Sequence, residues 1–418
     1  MKKFLALMLT AVLAVGCLSF VGCSDPEKPY EGIKKVDDIK DVKVGFITLH
    51  DESSTYDKNF IDAAEQACEE LGMDKKQYDI TTNIPEDKKC YTAAKKYASQ
   101  GYNLVFADSF GHEKYMLQAA KAFPDTQFCH ATGTKALVEE RGNFHNAFAT
   151  IYEGRYLAGV AAGMKLKEMM EKDTITPKVG YVGAFPYAEV KSGYTSWFLG
   201  VQSIVPTATM EVKFTSSWYD YDKEKQAAEA LIADGCVLIS QHADSMGAPT
   251  ACMNANVPNV SYNVDTRDMT DDKKIGDSYI IASKVNWVPY FKYMIGCLLK
   301  GEEIAANWIG TLETGSVEIL GLNEDFAAQG TADTLKEVEA QLKAGTLKVF
   351  DCSKFTVEGE TLTEYMADVK DMGDYEADTN VIKTEIIGGK PVTYFAESDP
   401  KFRSAPYFDI DIDGIDLM

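Results

Sequence analysis

The chain has 418 residues, 45% apolar and 25% charged, which is enough for a large buried core and predicts about two to three domains. Its formal charge of −22 excludes a nucleic-acid surface, since phosphate binding requires clustered basic residues. The same charge excludes a polybasic membrane anchor and is silent about fold.

Residues 1–22 read as an export signal. Met1-Lys2-Lys3 is a basic start, Phe4 to Val21 is apolar or small, and polarity sets in at Gly22-Cys23-Ser24-Asp25. The small residue before Cys23 resembles a bacterial lipobox, which makes Cys23 the lipidation site; Cys17 is a rival, and a membrane-spanning anchor is the other reading. Residues 23–40, charged and bearing two prolines, are expected to form a tether.

From residue 41 the chain alternates short strands and helices. Val42 to Leu49 is a buried strand. The Phe60, Ala63, Ala64, Ala67 and Leu71 stripe is a helix ending at Gly72, and the polar loop His50–Lys58 lies between them. Strands follow at 103–107, 127–131 and 144–148, with helices at 88–100 and 115–122 and a long one at 152–170. A second set then begins, with strands at 179–183, 210–214, 237–240, 259–263 and 279–283 separated by helices. This β-α-β rhythm predicts α/β architecture: two doubly wound lobes of parallel sheet, with a boundary near 150. Further on come a helix at 290–300, a strand at 313–322, a helix at 331–344 and a strand at 347–350. Residues 355–418 form an acidic, aromatic-bearing extension with weak strand patterns. Seven cysteines after Cys23 lack CxxC spacing and sit in apolar elements, so they read as small buried hydrophobes.

Ligands of open α/β sheets bind at the strands' carboxyl ends. The loops there hold Tyr56, Asp57, Asn59 and Phe60; Asp108, Ser109 and Phe110; Phe185; Trp218; Asp244; Asp265; and Lys284. Aromatics with carboxylates and one lysine suit a flat ring sandwiched by side chains, with a polyhydroxyl part bonded to charged groups. Asp57, Asp220 and Asp244 also fit as helix N-caps, each standing before a helix. His242 beside Asp244 suits acid–base work, but no nucleophile elbow, Walker loop or zinc spacing accompanies it. With five scattered histidines, neither metal nor cofactor is predicted, and binding is favoured over catalysis.

Several blocks resemble the basic membrane protein lipoproteins, substrate-binding proteins of ABC importers similar to purine nucleoside receptors. They are His50-Asp51-Glu52 with Tyr56-Asp57 and Asn59-Phe60, Tyr152 through Gly159, Trp218 with Asp220, Gln241 through Asp244, and Ser283-Lys284. The resemblance implies a type I periplasmic-binding fold joined by a three-strand hinge. Residues 41–150 with 267–305 would form the first lobe, and 151–266 with 306–418 the second. It implies purine stacking by Tyr56 or Phe60 and by Phe185, ribose contacts from Asp265 and Lys284, and a place for Tyr152 and Asp108 at the site. It also implies permease and ATPase partners and a lipid anchor outside the cytoplasm. An anchored sensor without transporter and a secreted nucleoside hydrolase are the alternatives.

Overall fold

The computed structural model describes residues 25–370, 377–399 and 401–418. The signal segment, with Cys17 and Cys23, lies outside them.

The first βα series comprises β1 (Val44–Ile47), α1 (Thr55–Glu70), β2 (Tyr78–Thr81), α2 (Lys88–Ser99), β3 (Leu104–Ala107), α3 (Glu113–Ala122), β4 (Gln127–Ala131), the short α4 (Ala136–Glu139) and β5 (Phe144–Ala149). The long α5 (Ile151–Lys172) leads into β6 (Lys178–Gly183), α6 (Ala188–Ile204), β7 (Thr209–Phe214), α7 (Tyr221–Ala233), β8 (Leu238–Gln241), α8 (Gly247–Ala255), β9 (Asn259–Tyr262) and β10 (Tyr279–Val285). After these come α9 (Val288–Lys300), β11 (Asn307–Gly310), β12 (Val317–Leu320) and α10 (Thr331–Lys343). The C-terminal segment holds the two-residue strands β13 (Met366–Ala367) and β14 (Thr379–Asn380), the hairpin β15 (Ile382–Ile387) with β16 (Lys390–Phe395), and β17 (Ile415–Leu417).

The strands assemble into one sheet ordered β11-β5-β4-β3-β1-β2 and a second ordered β12-β10-β9-β8-β6-β7-β17. All pairs are parallel except β10 with β12. Each lobe thus repeats the same 2-1-3-4-5 winding, whose carboxyl strand ends form a binding crevice. The strands read as continuous apolar runs because helices cover both faces of a parallel sheet; β1, β3 and β4 are buried throughout.

Local chemistry explains the first unit. Ser54 caps α1: its hydroxyl accepts from the Asp57 amide at 3.2 Å and donates to the Asp57 carboxylate at 2.6 Å. The buried face of α1 is Phe60, Ala63, Ala64, Ala67 and Cys68, and Gly72 turns the chain away at φ +72°. The block from Tyr152 to Gly159 acts in helix packing. A Cβ on Gly159 would stand 2.0 Å from the Trp197 carbonyl oxygen, and one on Gly200 2.2 Å from that of Tyr156, so α5 and α6 touch backbone to backbone.

Three expectations are corrected. Residues 267–305 do not all return to the first lobe, since β10 pairs with β9 in the second sheet and only α9 goes back; β11, in the span expected in the second lobe, pairs instead with β5 in the first sheet. A buried apolar run identifies a strand, not the sheet it joins. Leu347–Phe350 is not a strand; Val349 and Phe350 instead fill the core beneath the C-terminal segment. Residues 25–40 are docked rather than a free tether. The Ile33 amide and the Tyr30 hydroxyl donate to Glu303 at 3.0 and 2.6 Å, and Asp25 pairs with Lys95 and Tyr91. The extension packs with the second lobe: Phe350 stacks on Phe408 at 4.3 Å and β17 joins the second sheet. The seven cysteines from Cys68 to Cys352 are buried and unpaired, as expected, and burial pushes their thiols up, that of Cys352 to about 11.

Candidate functional site

The loops at the strand ends of the two sheets face each other across a narrow crevice with a cavity volume of about 20 Å³. From the first lobe come Leu49 after β1, Tyr56 in the first turn of α1, Ser109 and Phe110 after β3, and Thr132 after β4. The second lobe contributes Glu189 in the first turn of α6, Trp218 after β7, and His242 and Asp244 after β8. Two bonds close the lobes on each other: the Thr55 amide donates to the Asp244 carbonyl at 2.8 Å, and Asn59 Nδ2 donates to the Val285 carbonyl at 2.8 Å.

Aromatic rings line this space. The Tyr56 hydroxyl donates to the Asp108 carbonyl at 2.9 Å, which fixes the ring's plane. Phe185 packs edge-on against Trp218 at 5.1 Å and stacks with Tyr187 at 5.2 Å, while Tyr187 reaches across to Phe110 at 5.7 Å.

Acidic groups stand behind the rings. Asp108 is fully buried; its Oδ1 accepts from the Leu49 amide at 3.2 Å, and its Oδ2 has no hydrogen-bond partner among the described residues. Burial, reinforced by neighbouring Asp57, holds the Asp108 carboxyl well above the usual range. Burial does the same to Asp244, with Asp57 and Glu224 adding repulsion. Burial thus disfavours the charged form of both carboxyls, and a neutral carboxyl presents one donor and one acceptor. Asp57 behaves oppositely: burial opposes its charge, but bonds from the His50 ring and amide and from Ser54 hold it below the usual range. His242 is a fixed bonding element. Arg155 Nη2 donates to its Nδ1 at 3.1 Å, which leaves the ring proton on Nε2, 3.5 Å from Glu189, and burial lowers its pKa. Arg155 itself lies 3.4 Å from the Tyr262 ring centroid.

Of the residues expected at the site, the structure gathers Tyr56, Ser109, Phe110, Trp218 and Asp244 around the cavity, with Asp108 behind and Phe185 beside them. It places the others elsewhere. Phe60 is 2% exposed and stacked on Trp287 at 4.5 Å, so no ligand ring can reach its face. Asp57 belongs to the α1 cap, and Asn59 to the bond between lobes. Tyr152 lies 5.4 Å from Phe350 under the C-terminal segment. Asp265 is held by Arg267 through Nε at 3.0 Å and Nη2 at 2.6 Å, and Lys284 pairs with Glu318 at 3.4 Å; both line a different hollow, beside Lys58 and Asp62. Asp220 caps α7, accepting from the Lys223 amide at 3.0 Å. His242, which the sequence marks for acid–base work, lines the cavity; Leu49 and Thr132 follow strand ends as their selected neighbours do, and Glu189 stands in the first turn of α6.

Residues 44–348 match the family described as PnrA-like ABC transporter substrate-binding proteins. The chain is 33% identical over 301 residues to a putative ABC transporter glucose-binding protein of Haloferax volcanii, covering 72% of this chain and 71% of that one. It is 32% identical over 317 residues to a purine-binding protein of Brucella abortus, covering 74% and 83%. Among solved structures, an ABC transporter solute-binding protein of Conexibacter woesei superposes with a TM-score of 0.59 at 21% identity, covering 73% of this chain and 98% of that one. One from Aeropyrum pernix superposes with a TM-score of 0.61 at 14% identity, covering 74% and 93%. These two share the type I periplasmic-binding architecture of two doubly wound lobes. The chain therefore belongs to the PnrA-like family of ABC transporter substrate-binding proteins.

Proposed function

We propose that this protein is the lipid-anchored extracytoplasmic receptor of an ABC importer and that it closes its two lobes on a purine base or nucleoside. The observation that carries this reading is the pairing of Tyr56 and Phe110 from one lobe with Trp218 from the other, around Asp244. Flat rings are held by such aromatic walls, and a neutral carboxyl offers the donor–acceptor pair that a purine edge complements. The purine-binding relative supports the same ligand class. The glucose-binding relative supports a sugar as the second reading.

Calorimetric titration with adenine, adenosine and glucose separates the two. Adenine and adenosine are expected to bind the wild type, and Trp218→Ala to weaken both by about tenfold or more, from lost ring pairing and burial. Glucose binding without purine binding would overturn the assignment.

The anchor rests on Gly22-Cys23. Stable attachment takes more than one acyl chain, so Cys23→Ala is expected to move the protein from the membrane to the soluble fraction or to leave it unprocessed. Unchanged membrane attachment with a normal mature terminus would promote Cys17.

A further inference from the structure

The family match ends at residue 348, yet the residues after it build part of the crevice. A larger open chamber continues outward from the aromatic cavity, with which it shares Phe110, Thr132, Glu189 and Trp218. Its outer wall is supplied by the C-terminal segment through Tyr365, Asp368, Arg403, Tyr407 and Asp409. That segment is fastened to both lobes. Asn146 Nδ2 in β5 donates to Ser404 Oγ at 2.7 Å, and Lys191 in α6 pairs with Asp409 and Asp411 at 2.9 and 3.1 Å.

Arg403 is the feature that points to a ligand. It is 2% exposed, its Nη2 donates to the Pro406 carbonyl at 3.2 Å, and its Nε and Nη1 have no hydrogen-bond partner among the described residues. The carboxyls of Asp368 and Glu397 face its charge, and because a guanidinium only donates, its two open N–H groups fit an acceptor oxygen. The same walls carry the carboxyl groups of Glu189 and Asp368, which would repel a phosphate or a carboxylate, while Asp409 is already paired with Lys191. A hydroxyl meets both demands, accepting from Arg403 and donating to a carboxylate, and the Trp218, Tyr365 and Tyr407 rings offer flat apolar contact to a sugar.

We propose that the C-terminal segment completes the ligand site, and that the sugar of a nucleoside lies in this chamber with its hydroxyls bound by Arg403 and the facing carboxylates. Asp265 and Lys284 then take no part. The inference rests on the purine reading above and adds to it the place and partners of the sugar.

The test is calorimetric titration of adenine, adenosine and adenosine monophosphate against the wild type and Arg403→Met. The substitution is expected to weaken adenosine by about ten- to a hundredfold while leaving adenine unchanged. In the wild type the monophosphate should bind no tighter than adenosine. An unchanged adenosine-to-adenine ratio in Arg403→Met would overturn the proposal. A monophosphate that binds tighter than adenosine, and loses that gain in the variant, would replace the sugar with an anion. Wild type that binds neither purine would remove the purine reading, and this one with it. Should Arg403→Met fail to fold, hydrogen exchange on the wild type decides. Amides of residues 403–409 are expected to gain more protection from adenosine than from adenine, and equal protection would count against the sugar's placement.

Discussion

Trp287→Ala is expected to destabilise the protein by about 3–5 kcal/mol, the range for removing a large buried aromatic. The ring is 1% exposed and stacks on Phe60 at 4.5 Å, with Phe106 at 5.9 Å, Phe148 at 6.4 Å and Phe291 at 6.3 Å around it. It stands at the N-cap of α9, directly after β10, where the chain leaves the second sheet to pack α9 against α1. The rings around it come from β3, β5, α1 and α9, so no single element can move inward to fill the space. Denaturant unfolding of wild type and variant measures the difference, and a loss below about 1 kcal/mol would show that the site collapses after all. Because Asn59 bonds Val285 two residues before Trp287, loosening this cluster should also weaken the contact between lobes.

Glu397→Gln is expected to remove a pH dependence of comparable size. Glu397 is fully enclosed in the C-terminal segment; its Oε1 lacks a partner among the described residues and its Oε2 accepts from the Tyr407 amide at 3.4 Å. Burial pushes its carboxyl from 4.5 up to about 8. Between these values the folded protein keeps a proton that the unfolded chain has lost, so the unfolded state binds fewer protons and stability falls as pH rises. The contribution is absent below about pH 4.5, grows through that window, and levels off above about pH 8 at a cost of up to about 5 kcal/mol. Glutamine keeps the shape and one donor without the charge. The variant should match the wild type near pH 4.5 and melt at a higher temperature at pH 8 and above. Parallel melting curves across that range would show that Glu397 titrates near its ordinary value in the folded protein.

Much of the architecture was legible because parallel strands buried on both faces announce themselves as short apolar runs between helices. The run from Val42 to Leu49, its polar loop and the helix after it are where the pattern puts them. What the pattern lacks is any statement of partnership. β10 reads as a strand, but its place beside β9 is decided by the second sheet's need for a fifth parallel strand. Ile415–Leu417 is too short to read at all; it exists as β17 because β7 leaves an edge open to it. At the site, Tyr56 and Phe60 stand one helical turn apart with similar rings. Only the tertiary packing sends Phe60 into the Trp287 cluster and leaves Tyr56 at the crevice. Asp265 carries the right chemistry for a hydroxyl, but Arg267 two residues on satisfies it first. Glu189 reads as an ordinary acidic residue in a helix's first turn and Thr132 as a loop polar residue, until the facing lobe makes both of them walls.

The pairing of β17 with β7 also bears on where this molecule can be cut. The Met210 amide donates to the Gly414 carbonyl and the Met418 amide to the Val212 carbonyl, both at 2.9 Å, so the last residues occupy groups along that flank of the second sheet. A fragment trimmed to the family-matched span would bare this strand. An unpaired strand edge recruits strands from other molecules. A fragment cut before Ile415 is therefore expected to be less soluble than the full chain.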